Sequence, residues 1–252
     1  FMHEMGVSQF EINFVHGDPV LIADQTFLFK HMLHEVALKH GLIAVCMAKP
    51  LARVPGCSMH IHQSIVDQHS GQNIFTDAAT QEPTAAFNHF IGGLQHCMAE
   101  LTLLMAPYVN SYQRFCHAYA SPNNLCWSHD NRAAGLRIPA SEPVARRVEN
   151  RLPGADANPY LAVAASLAAG LYGIDHACDP SAPAQGEFTA PDELVLPNTL
   201  HEAINRLDRS EVARELLGAE FVNGYLATKR MELESFMDEI TPWERRYLGS
   251  QV

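Results

Sequence analysis

Two histidines one residue apart, His60 and His62, and the run Arg147-Val148-Glu149-Asn150-Arg151 are the parts of this sequence best suited to chemistry. In an extended chain alternate side chains share a face. Ser58, His60, His62 and Ser64 would then stand together on one strand, with Met59, Ile61 and Ile65 turned away. Arg147, Glu149 and Arg151 would do the same on a second strand. Near the start, Glu11 lies opposite the apolar face of Phe10, Ile12 and Phe14, and Glu4 precedes it. Taken singly, each pattern has an ordinary reading: a solvated strand face for the histidines, a surface charge stripe for the arginines, surface carboxylates for the glutamates. Laid side by side in one sheet they make a site. Carboxylates with a neutral imidazole suit Mg²⁺ or Mn²⁺ better than structural zinc. Guanidinium groups beside them match the phosphoryl oxygens of a triphosphate. No GxxxxGK[ST] motif occurs, which excludes a P-loop as the nucleotide grip.

The elements that must position these groups are legible as alternation and helical periodicity. Residues 7–15 and 57–66 read as alternating strands, and residues 42–47 as a buried strand. Asp24 is a candidate cap for a helix through Leu28, Met32, Leu33 and Val36 that Gly41 ends. Thr84 is a candidate cap for a long helix carried by Phe87, Phe90, Ile91, Leu94, Met98, Leu101 and Met105 and stopped by Pro107. Residues 109–130 read as loop, and residues 134–138 and 146–151 as short strands. Asn158-Pro159 opens an alanine-rich helix to Leu171. After an irregular connection over 175–198, helices begin at Thr199 and Ser210, the second ended by Gly218, and another covers about 220–238. Thr241-Pro242-Trp243-Glu244 fits a capping box.

Composition narrows the class. A chain of 252 residues with 47% hydrophobic and 18% charged content buries a sizeable core, and one domain over residues 1–252 is the expectation. A net charge of −11 argues against a nucleic-acid partner. The six scattered cysteines, without a CxxC pair, suit reduced thiols. The longest apolar run is too short for a membrane span, and without a visible signal peptide the cytoplasm is the expected location.

These segments, in order and over nearly the whole chain, resemble the glutamine synthetase family. Glu4-Met5-Gly6-Val7-Ser8-Gln9-Phe10-Glu11 looks like its metal-binding strand, and Lys49-Pro50 with Gly56-Cys57-Ser58-Met59-His60-Ile61-His62-Gln63-Ser64 like its ATP and glutamate segment. Asn131-Arg132-Ala133-Ala134-Gly135-Leu136-Arg137-Ile138-Pro139, then Arg147-Val148-Glu149-Asn150-Arg151 and Asn158-Pro159-Tyr160-Leu161-Ala162, complete the resemblance. It implies an α+β catalytic domain: a curved, mainly antiparallel sheet with a polar inner face and helices packed outside. It also implies ATP and two sites for Mg²⁺ or Mn²⁺, with Glu4 and Glu11 at one metal and His60 and Glu149 at the other. Ser64, Arg137 and Arg147 would grip ATP. Gly56, His62, Arg114, Arg132 and Arg151 would orient a glutamate-like acid, and Arg132 and Arg137 would act on the transferring phosphoryl group.

The departures set further expectations. Ala120 stands where the family's flap carries a glutamate that closes over ammonium, Pro55 replaces an asparagine, and Ser58 replaces a glycine. A flap without its carboxylate leaves room for a bulkier amine, as in γ-glutamylpolyamine and other γ-glutamylamide synthetases. An ammonia-using glutamine synthetase and a non-catalytic structural or regulatory relative are the alternatives. The sequence opens almost at once on strand-like residues, without the family's small N-terminal β-grasp domain and Glu-x-Glu strand. It therefore reads as a fragment, expected to be inactive alone, of a protein that forms a homo-oligomeric ring.

Overall fold

The computed structural model describes residues 1–115 and 121–251. The first elements are β1 (Met2–His3) and β2 (Phe10–Glu11), paired antiparallel with His3 opposite Phe10 and Met2 opposite Glu11. The alternating strand expected over 7–15 is therefore only the second arm of a hairpin. Its turn closes through Glu4 N–H donating to the Gln9 carbonyl at 2.9 Å, and the Gln9 side chain accepts from the Gly6 amide at 2.9 Å. Beyond Glu11 the apolar residues Ile12 and Phe14 stay exposed.

Helix α1 (Pro19–Lys39) starts five residues before the expected cap at Asp24. Asp18 caps it instead, accepting from the amides of Val20 and Leu21, with proline pre-set for the first turn. Gly41 ends it in the left-handed conformation, φ +68°, as expected. Residues 42–47 form no strand. Leu42, Ile43, Val45 and Met47 are exposed there, and among the described residues no neighbouring strand supplies a ladder.

The sheet that matters for the site comprises β3 (Ile61–Gln63), β4 (Trp127–His129), β5 (Leu136–Ile138) and β6 (Val148–Asn150), in spatial order β3-β6-β5-β4. β6 pairs antiparallel with both β3 and β5, and β4 joins β5 in parallel. One face carries Val148, Leu136 and Ile138 into the hydrophobic core; the other carries the charged groups. The polar inner face and mainly antiparallel pairing agree with expectation. The strand β4 lies in a region expected to be loop, as does α4 (Val109–Phe115).

The core is covered by α2 (Ala85–Cys97), capped by Thr84 as expected, and α5 (Pro159–Asp175), capped by Asn158. The two helices touch backbone to backbone. A Cβ on Gly93 would meet the Ala169 carbonyl oxygen at 2.2 Å, and one on Gly173 would meet the Gly93 Cα at 2.5 Å. The long helix expected to run to Met105 instead breaks after Cys97 and resumes as α3 (Thr102–Met105). Thr102 explains the break: its hydroxyl bonds back to the carbonyls of Met98 and Ala99, both at 2.9 Å.

Of the C-terminal helices, α6 (Leu200–Arg209), α7 (Glu211–Leu217) and α9 (Pro242–Leu248) start at the expected caps, and α8 (Ala219–Met237) covers close to the expected 220–238 after Gly218, which ends α7 at φ +82°. Thr241 and Glu244 form the anticipated reciprocal capping box. Among the described residues no helix is long and apolar enough to cross a membrane.

Candidate active site

The register of the sheet decides which side chains meet. Glu149 on β6 lies directly opposite His62 on β3 and opposite Arg137 on β5. Directly opposed residues of antiparallel strands share a face. A single row thus runs His62, Glu149, Arg137 across three strands, and alternation adds Arg147 and Arg151 beside Glu149 and His60 beside His62.

Glu149 is the hub, with its side chain 2% exposed. Its Oε2 accepts from Arg137 Nη1 at 2.6 Å and its Oε1 from Arg151 Nη1 at 2.5 Å, with His60 Nδ1 3.3 Å from Oε1. Burial alone would raise the Glu149 pKa; Arg151, His60 and the Arg137 hydrogen bond outweigh it and hold the carboxyl below its ordinary range. His60 goes the other way. Burial, reinforced by the charges of Arg151 and Arg114, pushes its pKa down to about 3, so the ring is neutral at physiological pH. Its Nε2 is buried without a hydrogen-bond partner. Arg147 Nε donates to His62 Nδ1 at 3.2 Å, which fixes Nδ1 as the acceptor of that ring.

Glu4 and Glu11 face each other from the two arms of the β1–β2 hairpin. The Glu11 carboxyl is held above its ordinary range by a hydrogen bond to Glu4, by burial and by the Glu4 charge, and Glu149 adds to the effect. The two carboxyls therefore share one place, within electrostatic reach of Glu149. The hairpin is tied to the site by Gln9, whose Nε2 donates to the Gly56 carbonyl at 2.9 Å.

Gly56 is required where it is. A Cβ there would meet the Ala48 carbonyl oxygen at 2.5 Å and Arg114 Cγ at 2.7 Å. Arg114 is fully buried beneath the charged face: Nη1 donates to Ser58 Oγ at 2.7 Å and Nη2 to the Leu152 carbonyl, and its guanidinium lies over the Phe115 ring. Burial pulls its pKa down to about 10. Ser58 supplies a hydrogen-bond acceptor to this buried cation. Arg132 is exposed on the turn before β5, and its charge reaches Arg151. Ser64 is exposed one residue beyond β3, outside the ionic network. Ala120 lies outside the described residues.

Sequence reasoning missed Asp130. It accepts from Arg137 Nε at 3.1 Å and also from Nη2, so Arg137 bridges two carboxylates. The signal was the pairing of β4 with β5, which the loop assignment concealed.

Among the described residues no group of three His, Cys, Asp or Glu side chains is gathered tightly enough to hold a metal ion. The donors come as pairs: His60 with Glu149, and Glu4 with Glu11. The pairs suit divalent cations chemically. A neutral imidazole with an unpartnered buried nitrogen, and a Glu11 carboxyl raised by its hydrogen bond to Glu4, by burial and by the Glu4 charge, are donors that a hard cation would satisfy, and Mg²⁺ keeps several waters besides its protein ligands.

Residues 1–248 match the glutamine synthetase catalytic domain, and the chain belongs to the glutamine synthetase family. It is 38% identical to a glutamine synthetase of Pyrococcus abyssi over 94% of this chain and 54% of that protein. It is also 37% identical to a glutamate–isopropylamine ligase of a Pseudomonas species, over 97% of this chain and 54% of the relative. A gamma-glutamylethanolamide synthetase of Streptomyces coelicolor is 36% identical over 96% of this chain and 52% of its own length. Among solved structures, GmaS in complex with ADP superposes with a TM-score of 0.81 at 34% identity, covering 91% of this chain and 54% of that one. The chain thus spans about half the length of the curated relatives it matches.

Proposed function

We propose that the protein is an ATP-dependent ligase joining the γ-carboxylate of glutamate to an amine through a γ-glutamyl phosphate. The observation that carries this reading is the row His62, Glu149, Arg137 with His60, Arg147 and Arg151 beside it, a carboxylate set among guanidiniums on one sheet face. His60 with Glu149, and Glu4 with Glu11, would each hold a Mg²⁺ or Mn²⁺ ion, and such an ion would supply positive charge opposite the terminal phosphates of ATP. Arg137, Arg147 and Ser64 bind ATP, and Arg132 faces the phosphoryl group in transfer. Gly56, His62, Arg114 and Arg151 form the glutamate side of the site: Arg151 and His62 from the charged face, Gly56 by keeping backbone approach open, and Arg114 from below by fixing Ser58 and the chain at Leu152.

The chemistry takes two steps. The γ-carboxylate oxygen attacks the γ-phosphorus of ATP, ADP leaves, and an acyl phosphate forms. The amine nitrogen then attacks the acyl carbon, inorganic phosphate leaves, and the nitrogen loses a proton to give the amide. Charge grows on the phosphoryl oxygens in the first step, where the guanidiniums stand. Removing one pre-placed donor of this kind costs about 10²–10³ in rate.

The sequence at Ala120 supports an amine over ammonia, and two of the relatives carry amine names, isopropylamine and ethanolamide. A polyamine or monoamine is the acceptor on this reading. A ring of copies, with the active protein longer than this chain, belongs to the same proposal. The test is phosphate release by the full-length protein with ATP, glutamate and Mg²⁺, comparing ammonia, putrescine, isopropylamine and ethanolamine. Preference for an amine is expected; preference for ammonia overturns the acceptor assignment, and no release with any acceptor overturns the ligase.

A further inference from the structure

Arg137 is held by two carboxylates of unequal obligations. Glu149 is shared among Arg137, Arg151 and His60, whereas Asp130 engages the Nε and Nη2 edge of Arg137. We propose that Asp130 is a positioning residue that fixes the plane of the Arg137 guanidinium and aims Nη1 into the charged face, a role that rests on the ligase reading above. The guanidinium is a planar fork on a long flexible stem, so one contact leaves it free to swing and contacts on two edges do not. A cation held at Glu149 would compete with Nη1 for that carboxylate. Asp130 then remains as the anchor that keeps Arg137 in place.

The backbone is built to hold Asp130 there. Asp130 has φ +50°, a left-handed conformation in which aspartate is one of the better-tolerated residues. Its amide donates to the Ile138 carbonyl at 2.9 Å, the extension of the β4–β5 pairing. The next residue, Asn131, pins the turn on both sides: its Oδ1 accepts from the Ala133 amide at 3.0 Å and its Nδ2 donates to the Gly186 carbonyl at 2.8 Å. The Asp130 side chain is 57% exposed against 17% for Arg137. An exposed ion pair of this kind adds little to stability, so a pinned, left-handed aspartate turned onto Arg137 is better explained by placement than by stabilisation.

The test compares Asp130→Ala, Asp130→Asn and Asp130→Glu in the full-length protein. The expected result is a kcat lower by about 10- to 100-fold in the alanine and asparagine variants, the range seen for residues that orient another group, with the KM for glutamate unchanged. Asp130→Glu restores at least part of the loss. In a crystal structure of Asp130→Ala the Arg137 guanidinium leaves its position while the Glu149–Arg151 pair stays. A kcat within twofold of wild type, no recovery with glutamate, or an unmoved Arg137 overturns the proposal. Wild-type protein inactive with every acceptor defeats the ligase reading instead, and the position of Arg137 in the variant crystal still decides the role of Asp130.

Discussion

Glu149 and the pair Glu4–Glu11 are carboxylates of one site in opposite circumstances. Glu149 is buried among cations, and its charged form is what its surroundings favour. Glu4 and Glu11 are set against each other on a short hairpin, and the charged form of Glu11 is what its surroundings resist. The first is part of the fold's own charge balance; the second is an imbalance that a proton or an added cation would relieve. The site therefore presents a half whose carboxylate the protein's own cations already match and a half that binding completes.

The sharpest way to break this contrast is to remove the hub. Glu149→Ala leaves Arg137 and Arg151 without their shared carboxylate in a largely buried place. Removing one partner of a buried pair costs about 3–5 kcal/mol, and urea denaturation should show a loss of that size. Glu149→Gln is expected to lose nearly as much, since an amide keeps the shape but not the charge. A loss under about 1 kcal/mol would mean that the hub belongs to the ligand-bound site alone and not to the fold.

The two halves were unequally legible in the sequence, and for a physical reason. Alternation placed His60, His62, Arg147, Glu149 and Arg151 on common faces, and the register then joined them, because a strand with one apolar face in a core has only one way round. The caps at Thr84, Asn158, Thr199, Ser210 and Thr241 were legible because each is a local hydrogen bond. What could not be read depends on contacts distant in sequence. Residues 42–47 have the composition of a buried strand and find no strand partner among the described residues, the hairpin turn at Gly6 depends on the Gln9 side chain, and Asp130 reaches Arg137 only because β4 lies parallel to β5. Helix α1 began early because Asp18 and Pro19 form a stronger start than Asp24 in the middle of a turn.

Cations and pH should sharpen the contrast next. Saturating Mn²⁺, at about one hundred times its dissociation constant, stabilises a protein that binds it only when folded by about 2.7 kcal/mol. The folded-state pKa of Glu11 is raised above its ordinary 4.5. In the absence of a cation its contribution is therefore fully present at low pH and is lost as pH rises through the folded value. Glu149 has the reverse sign: its contribution is present above the ordinary carboxylate value and is lost as pH falls through its depressed one. Metal and proton compete for the same oxygens, so the rise in melting temperature on adding Mn²⁺ should be larger near pH 7.5 than near pH 4.5. An equal rise at both would place the cation away from these carboxylates.

The smallest effect is the most discriminating. Glu11→Gln removes one charge from the Glu4–Glu11 pair and keeps a group able to hydrogen-bond with Glu4. Partly exposed charge pairs are worth about 0.2–1 kcal/mol, so without divalent cation the variant should be slightly more stable than wild type near pH 7.5. With Mn²⁺ the order should reverse, because the variant has lost a ligand and with it most of the metal-induced rise in melting temperature. Removing a carboxylate from one half of the site thus stabilises the metal-free fold, where removing one from the other half weakens it. Denaturation curves of Glu11→Gln with and without Mn²⁺ test this directly. A variant less stable than wild type in the absence of metal would mean that the hairpin's charges are already balanced by the protein, and the division of the site into a finished and an unfinished half would fail.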